Sequence, residues 1–321
     1  MSKLDADLLI IGAGPAGLTA AQYGARANLK VLVIEKFVPG GQAALIDALE
    51  NYPGNVELKD GSGNVIAKPR TGFDLMRDMH GQAEGFGASF VSETVCALKK
   101  EDGLFSAVLA DGKTFKAHAV IMATGASHRK LGVPGEERFT GRGVSYCATC
   151  DGAFFKGRKI FVVGGGDAAC DGAQYLSRLS SQVVLVHRRD RFRAQAAVAN
   201  RVLNNPNIEV RFDTVIKEIM GTQKLNSLVL QQDGEMREES ADAVFVFAGM
   251  IPCSELASQD GIQAEIDNEG YVVTDQKMAS SVPGLFIAGD VRSGSFRQVI
   301  VAAGEGAVAA HSTAEYIGMQ K

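Results

Sequence analysis

Residues 6–17 read ADLLIIGAGPAG, and the segment Ala6 to Ile11, apolar but for Asp7, predicts a strand buried on both faces of a parallel sheet. Gly12 to Gly17 then forms a glycine fingerprint. A small-residue helix pattern runs from it to about Asn28, and a second strand follows at Lys30 to Ile34, ending in Glu35. A fingerprint alone is weak evidence, but this one has a strand before it, a helix after it and an acid 18 residues beyond its last glycine. Gly12, Gly14, Pro15, Ala16 and Gly17 would let the backbone turn tightly and approach a pyrophosphate at the helix N-terminus. Glu35 would accept from a ribose hydroxyl. The segment reads as a dinucleotide-binding unit.

The same pattern returns further along. Lys159 to Val163 is a predicted strand, Gly164 to Ala169 (GGGDAA) a second fingerprint, a helix runs to about Ser180, and Val183 to Val186 is the next strand. Aligning Gly12 with Gly164 shifts the numbering by 152, which places His187 where Glu35 stood. Arg188, Arg189 and Arg193 follow it. A carboxylate at that place repels a 2′-phosphate, whereas arginines pair with one; a solvated basic turn is the alternative. The first site therefore suits a dinucleotide with a free 2′-hydroxyl. The second suits NADPH, and the candidate residues there are Gly164, Gly165, Gly166, Asp167, His187 and the three arginines. The fold class is α/β with two Rossmann-like dinucleotide-binding domains.

Just ahead of the second fingerprint lies Tyr146 to Asp151, YCATCD. Two thiols at this spacing can close a small disulfide ring and store two electrons, and Asp151 beside Cys147 and Cys150 can supply the proton that dithiol–disulfide interchange consumes. Half of a zinc site is the other reading. Structural zinc takes four Cys or His ligands, normally as two close pairs, and no second pair exists, so no metal is expected. Five cysteines make an odd number, unlike a disulfide framework. Cys96 and Cys170 are expected to be buried inert thiols, and Cys253 stands alone.

The remaining segments supply further candidates. Gly40, Gly41 and Gln42 precede a turn at Asn51 to Gly54, and the polar stretch Asn55 to Arg70 reads as a hairpin or loop. A helix is expected at about Gly72 to Phe86, a meander of short strands at about Ser89 to Ala119, and a strand in VIMATG that ends at Thr124 and Gly125. Strands alternate again from Ile208 to Gly249. LFIAGD ends in Gly289 and Asp290, an acid suited to a ribityl or pyrophosphate contact, and Arg297, Gln298 and Val299 precede a helix at about Ala302 to Tyr316. A chain of 321 residues with 46% hydrophobic content is long enough for two domains. The net charge of −4, with both signs interspersed, argues against nucleic acid as a partner. No apolar run reaches the length of a membrane span, the first residues lack a signal-peptide pattern, and a cytoplasmic protein is expected.

With both fingerprints, CATCD between them and GDVR followed by Arg297 and Gln298, the chain resembles the bacterial-type, low-molecular-weight thioredoxin reductases over essentially its whole length. The resemblance implies FAD at the first fingerprint and NADPH at the second, in three-layer ββα domains. It further implies a split FAD domain, residues 1–119 and 248–321, with the NADPH domain, 120–247, inserted and carrying the CxxC. Carried over by motif, the FAD contacts are Gly12, Gly14, Gly17, Glu35, Gly41, Gln42, Asn51, Thr124, Gly125, Gly289, Asp290, Arg297, Gln298 and Val299. The implied activity is NADPH-dependent thioredoxin-disulfide reduction: Cys150 lies against the flavin, Cys147 attacks the thioredoxin disulfide, Asp151 is the acid or base, and the enzyme is a homodimer. Three departures stand out. Ala168, Cys170, Asp171 and Gly172 replace a GGGDSA sequence with acids shortly after it. Asn55 to Arg70 is longer than the usual link, and Glu305 stands where Asp is frequent.

Two rival readings compete with this one. A ferredoxin–NADP reductase of this architecture needs no CxxC, and the intact pair argues against it; a non-catalytic nucleotide sensor would keep the fingerprints without reducing anything. A different thioredoxin-like or glutaredoxin-like partner is also compatible with the motifs. Chain order adds motion. Cys147 and Cys150 lie 17 and 14 residues before Gly164, so the dithiol and nicotinamide sites share one domain while the flavin belongs to the other. One flavin ring must meet each in turn, which predicts a swinging domain hinged near Ala119 to Ala126 and Val244 to Gly249.

Overall fold

A computed structural model of the chain describes residues 4–47 and 49–319. The chain divides into two compact units, the first running up to Ser127 and resuming at Pro252, the second His128–Ile251. The first is therefore discontinuous in sequence and the second inserted. The crossings fall later than 119/120 and 247/248, however. The strand Ala119–Met122 pairs in register with Leu8–Ile11 and belongs to the middle of the first sheet, so the chain cannot leave that unit before it.

The sheet of the first unit has the parallel order Leu285–Ile287, Ala119–Met122, Leu8–Ile11, Val31–Glu35, Ser89–Ser92. Successive side chains of a strand point to opposite faces, and here both faces are covered, which is why every strand but the edge strand Ser89–Ser92 is apolar apart from Glu35. Leu8, Ile10, Val33 and Ile121 pack with the helices Pro15–Arg26, Gly72–Gly85 and Val299–Gly318. Leu9, Ile11, Ile34 and Met122 pack with the antiparallel meander Val95–Glu101, Leu104–Leu109, Thr114–Ala117. These are the three layers anticipated. Ser89–Ser92 was expected in the meander, but its residues pair parallel with Leu32 to Glu35 and extend the main sheet. The stretch after Asn55 does form a hairpin, Leu58–Lys59 with Val65–Ala67.

The second unit repeats the plan. Its parallel order is Val144–Ser145, Ala243–Val246, Ile160–Val163, Val183–Val186, Ile208–Arg211. Phe161, Val184, Val186 and Val244 face a three-stranded antiparallel layer, Thr214–Gly221, Leu225–Gln232, Glu235–Ser240. Ile160, Val162, Leu185 and Phe245 face the helices Asp167–Ser177 and Ala196–Leu203. The second of these helices was not anticipated, because only Val202 among its residues is fully buried and its apolar face is correspondingly thin.

Cys170 is buried as expected, but Cys96 is exposed. A bulge between Val95 and Ala97 interrupts the alternation of that strand and turns the thiol outward. No helix among the described residues is long and apolar enough to cross a membrane.

Candidate active site

The first fingerprint is built from contacts too close for side chains. A Cβ on Gly12 would lie 2.4 Å from the Ala123 carbonyl oxygen, and one on Gly17 would lie 1.9 Å from that of Gly12. The helix Pro15–Arg26 opens with proline and no side-chain cap, so its first N–H groups are left for a ligand. No atom lies within 4 Å of where a Gly14 Cβ would stand, leaving the space a pyrophosphate needs. Glu35 contributes to the turn itself: Oε2 accepts from Ala13 N–H at 2.7 Å and Oε1 from Phe37 N–H at 3.0 Å.

The other first-site candidates gather on the same unit. Gly41 would place a Cβ 3.3 Å from Gly14 Cα, Gln42 Nε2 donates to the Ala126 carbonyl, and Asn51 Nδ2 donates to Gln298 Oε1 at 2.7 Å. Thr124 Oγ1 donates to the Cys253 carbonyl at 2.6 Å, one residue before Gly125. A Gly289 Cβ would meet that of Ala16 at 3.1 Å. Burial pushes the Asp290 carboxyl above the usual carboxylate range, Arg297 opposing and Glu305 adding to the shift. Arg297 itself lies over the Tyr271 ring at 4.4 Å, and Val299 is the first residue of the last helix, which starts earlier than expected.

At the second fingerprint the same backbone is held differently. A Gly165 Cβ would lie 2.3 Å from His187 Cε1, so the imidazole packs flat on the glycine backbone. Burial lowers the His187 pKa first, with Arg193, Arg189 and Arg188 adding to it, and its Nε2 has no partner among the described residues. The Gly165 carbonyl accepts from the N–H groups of Arg193 and Ala194 at 2.7 and 3.1 Å. Asp167 is engaged by Gln195, through its backbone N–H at 2.7 Å and Nε2 at 2.9 Å. Gly166 again has nothing within 4 Å of a Cβ, the helix Asp167–Ser177 is uncapped by any side chain, and Arg188, Arg189 and Arg193 are exposed. An open anion cradle beside three guanidinium groups fits a phosphorylated dinucleotide.

Cys147 and Cys150 form a disulfide, with sulfurs 2.08 Å apart. They bracket the start of the short helix Ala148–Asp151, whose Ala148 is buried in the core layer of Ala173 and Leu176. Cys147 is half-buried and Cys150 exposed; the Cys150 N–H donates to Cys147 Sγ at 3.2 Å. Buried Ser145 links the Cys147 backbone to the acid: its Oγ donates to Asp151 Oδ2 at 2.7 Å and accepts from Cys147 N–H at 3.1 Å. Tyr146 donates to Glu136 Oε1 at 2.8 Å, and burial first, then that hydrogen bond, pushes the phenol up to about 12. No group of His, Cys, Asp and Glu suited to a metal occurs among the described residues.

A family model described as pyridine nucleotide-disulphide oxidoreductase matches residues 6–306. The chain belongs to that family. It is 50% identical over 317 residues to the thioredoxin reductase of Treponema pallidum, covering 98% of each, and 43% identical over 315 residues to that of Bacillus subtilis, covering 97% of this chain and 94% of the relative. The crystal structure of Lactococcus lactis thioredoxin reductase superposes with a TM-score of 0.90 at 38% identity, covering 98% of this chain and 100% of that one. Within the pyridine nucleotide-disulphide oxidoreductases the chain thus falls among the low-molecular-weight thioredoxin reductases, flavoenzymes that use a nicotinamide dinucleotide.

For this oxidoreductase, sequence reasoning missed the residues that hold the others. Ser145, Glu136 and Gln195 carry no motif, and only the fold brings them to Asp151, Tyr146 and Asp167. Glu305 was noticed only as a departure. In the structure it accepts from Gly289 N–H and from Arg292.

Proposed function

We propose that this chain carries electrons from NADPH through FAD and the Cys147–Cys150 disulfide to the disulfide of a thioredoxin. The observation that supports this most directly is the Cys147–Cys150 disulfide itself, with Asp151 tied to it through Ser145, in the same unit as the arginine-flanked fingerprint. Residues of the first fingerprint, Glu35 and the Gly289–Asp290 turn would hold FAD; those of the second, with Arg188, Arg189 and Arg193, would hold NADPH. Bound flavin supplies a ring that takes hydride from the reduced nicotinamide and hands the electron pair to a disulfide.

The protein's own residues do the rest. Reduction of Cys147–Cys150 takes two electrons and two protons, and Asp151 is placed to pass one of the protons. Its Oδ2 is fixed by Ser145, which leaves Oδ1 to take up or release it. The N–H directed at Cys147 Sγ favours a thiolate there. Cys147 then attacks one sulfur of the partner disulfide, forming a mixed disulfide and expelling the first partner thiolate. Cys150 attacks Cys147 Sγ, restores the intramolecular disulfide and releases the second. Because dithiol and nicotinamide sites share the second unit, each must reach the flavin in turn by a swing at the crossings, where Gly125 and Gly249 hold φ of 68° and 109° that other residues rarely adopt. The resemblance also implies a homodimer in the cytoplasm.

The test is a coupled assay on purified yellow protein. NADPH should bleach the flavin, and thioredoxin should then be reduced. Cys147→Ser and Cys150→Ser should each lower thioredoxin reduction by about a thousandfold or more, the scale of losing a nucleophile outright. Reduction of ferricyanide by NADPH should continue in both. Protein without flavin absorbance, or full thioredoxin turnover in either variant, refutes the assignment.

A further inference from the structure

Glu305 is buried, at 6% exposure, on the helix Val299–Gly318. A carboxylate removed from water must be met by donors, and both oxygens are: Oε2 accepts from Gly289 N–H at 2.7 Å and Oε1 from Arg292 Nη2 at 2.6 Å. Its neighbour on the helix fixes the approach. A Cβ on Gly306 would lie 2.1 Å from the Ala16 carbonyl oxygen, so the last helix touches the first fingerprint helix backbone to backbone. Ala16 in turn meets Gly289. One stack therefore joins the start of the fingerprint helix, the strand-end turn and this carboxylate, and the next residue after Gly289 is Asp290.

We propose that Glu305 is a positioning residue for the flavin nucleotide: by holding the Gly289 N–H and Arg292 together it fixes the Gly289–Asp290 turn against Ala16 and sets where the Asp290 carboxylate meets the cofactor. This rests on the reading of the first fingerprint as the FAD site. On this reading Glu305 acts through the turn, by the Gly289 N–H that it holds. Aspartate is shorter by one C–C bond, about 1.5 Å, and with the helix pinned at Gly306 it reaches both donors only if the Gly289–Asp290 turn shifts toward the helix. Glutamine keeps an acceptor for Gly289 but turns an N–H toward Arg292, whose Nε already lacks a partner among the described residues.

The experiment follows FAD leaving dilute holoenzyme, read from the recovery of flavin fluorescence, alongside thermal melting. Glu305→Gln and Glu305→Asp should each release FAD about tenfold faster or more, the loss of one charge-assisted hydrogen bond. Thr313→Val, which removes the Oγ1 bond to the Ala309 carbonyl further along the same helix, should lower the melting temperature without that acceleration. Release within twofold of the parent in both Glu305 variants, or acceleration that tracks melting temperature alike in all three, overturns the inference. A parent protein that binds no FAD would instead remove the functional reading on which it stands. If Glu305→Gln does not fold with flavin, the Glu305→Asp rate decides.

Discussion

The two glycine turns are one backbone design finished by different side chains. In the first, the residue at the end of the second strand is Glu35, an anion whose two oxygens take N–H groups of Ala13 and Phe37. In the second it is His187, held neutral by burial and by three arginines, its ring laid on Gly165, while the turn is secured by N–H groups of Arg193 and Ala194. The bracing job has passed from a side chain to the backbone of the arginine loop, and so the strand end is free of negative charge. One substitution thereby changes how the turn is held and, on the function proposed above, which phosphate pattern it tolerates.

The contrast is broken most severely at the arginines. Arg188→Ala combined with Arg189→Ala should weaken NADPH on the order of a hundredfold, two charge-assisted bonds at about 1.5–3 kcal/mol each in a partly screened site. NADH binding should stay within about twofold on the same scale, and tryptophan-free protein makes flavin bleaching the convenient readout. An unchanged NADPH/NADH ratio would put the 2′-phosphate elsewhere.

A smaller effect is expected at Glu35. Gln at that position offers one acceptor to two N–H groups, so Glu35→Gln should loosen the first turn and raise the FAD dissociation constant about tenfold. NADPH affinity, a property of the other unit, should not change. Equal losses at both sites would mean that the turns are not independent.

The smallest difference lies in a half-buried ion network of the second unit. Arg211 donates to Glu239 at 2.6 Å and Lys159 to the same carboxylate at 2.7 Å. The Arg211 hydrogen bond, ahead of that from Lys159, holds Glu239 down at about 2, against an ordinary 4.5. The folded value lies below the unfolded one, so the network stabilises fully above pH of about 4.5 and loses its contribution as pH falls toward about 2. The melting-temperature gap between parent and Glu239→Gln should therefore be widest near neutrality and narrow from about pH 5 to pH 3. A gap that grows in acid would show that the carboxylate is not charged in the folded protein.

What could be seen from sequence was whatever depends on local order. Strand, glycine turn and helix are consecutive residues, so Leu8–Ile11, Pro15–Arg26, Ile160–Val163 and Asp167–Ser177 were legible, as was the replacement of Glu35 by His187. The domain crossings were misplaced because strand Ala119–Met122 owes its membership to partners at Leu8–Ile11 and Leu285–Ile287, far away in the chain. The same holds for Ser145 and Glu305, whose meaning is a hydrogen bond made across the fold. The outward turn of Cys96 depends on a bulge that no alternation pattern announces.

The insertion also dictates an order of assembly. The inserted unit has every strand of its main sheet once Val246 has left the ribosome, since its last strand is Ala243–Val246. The unit that surrounds it lacks both Leu285–Ile287 and Val299–Gly318 at that moment, and the edge of Ala119–Met122 waits unpaired for a partner about 165 residues later. Closing so long a loop is slow, and an open apolar strand edge invites wrong pairings. During synthesis, then, the nucleotide unit with the dithiol is ready first, and the vulnerable species is a nascent chain whose outer unit is still short of its final strand and helix.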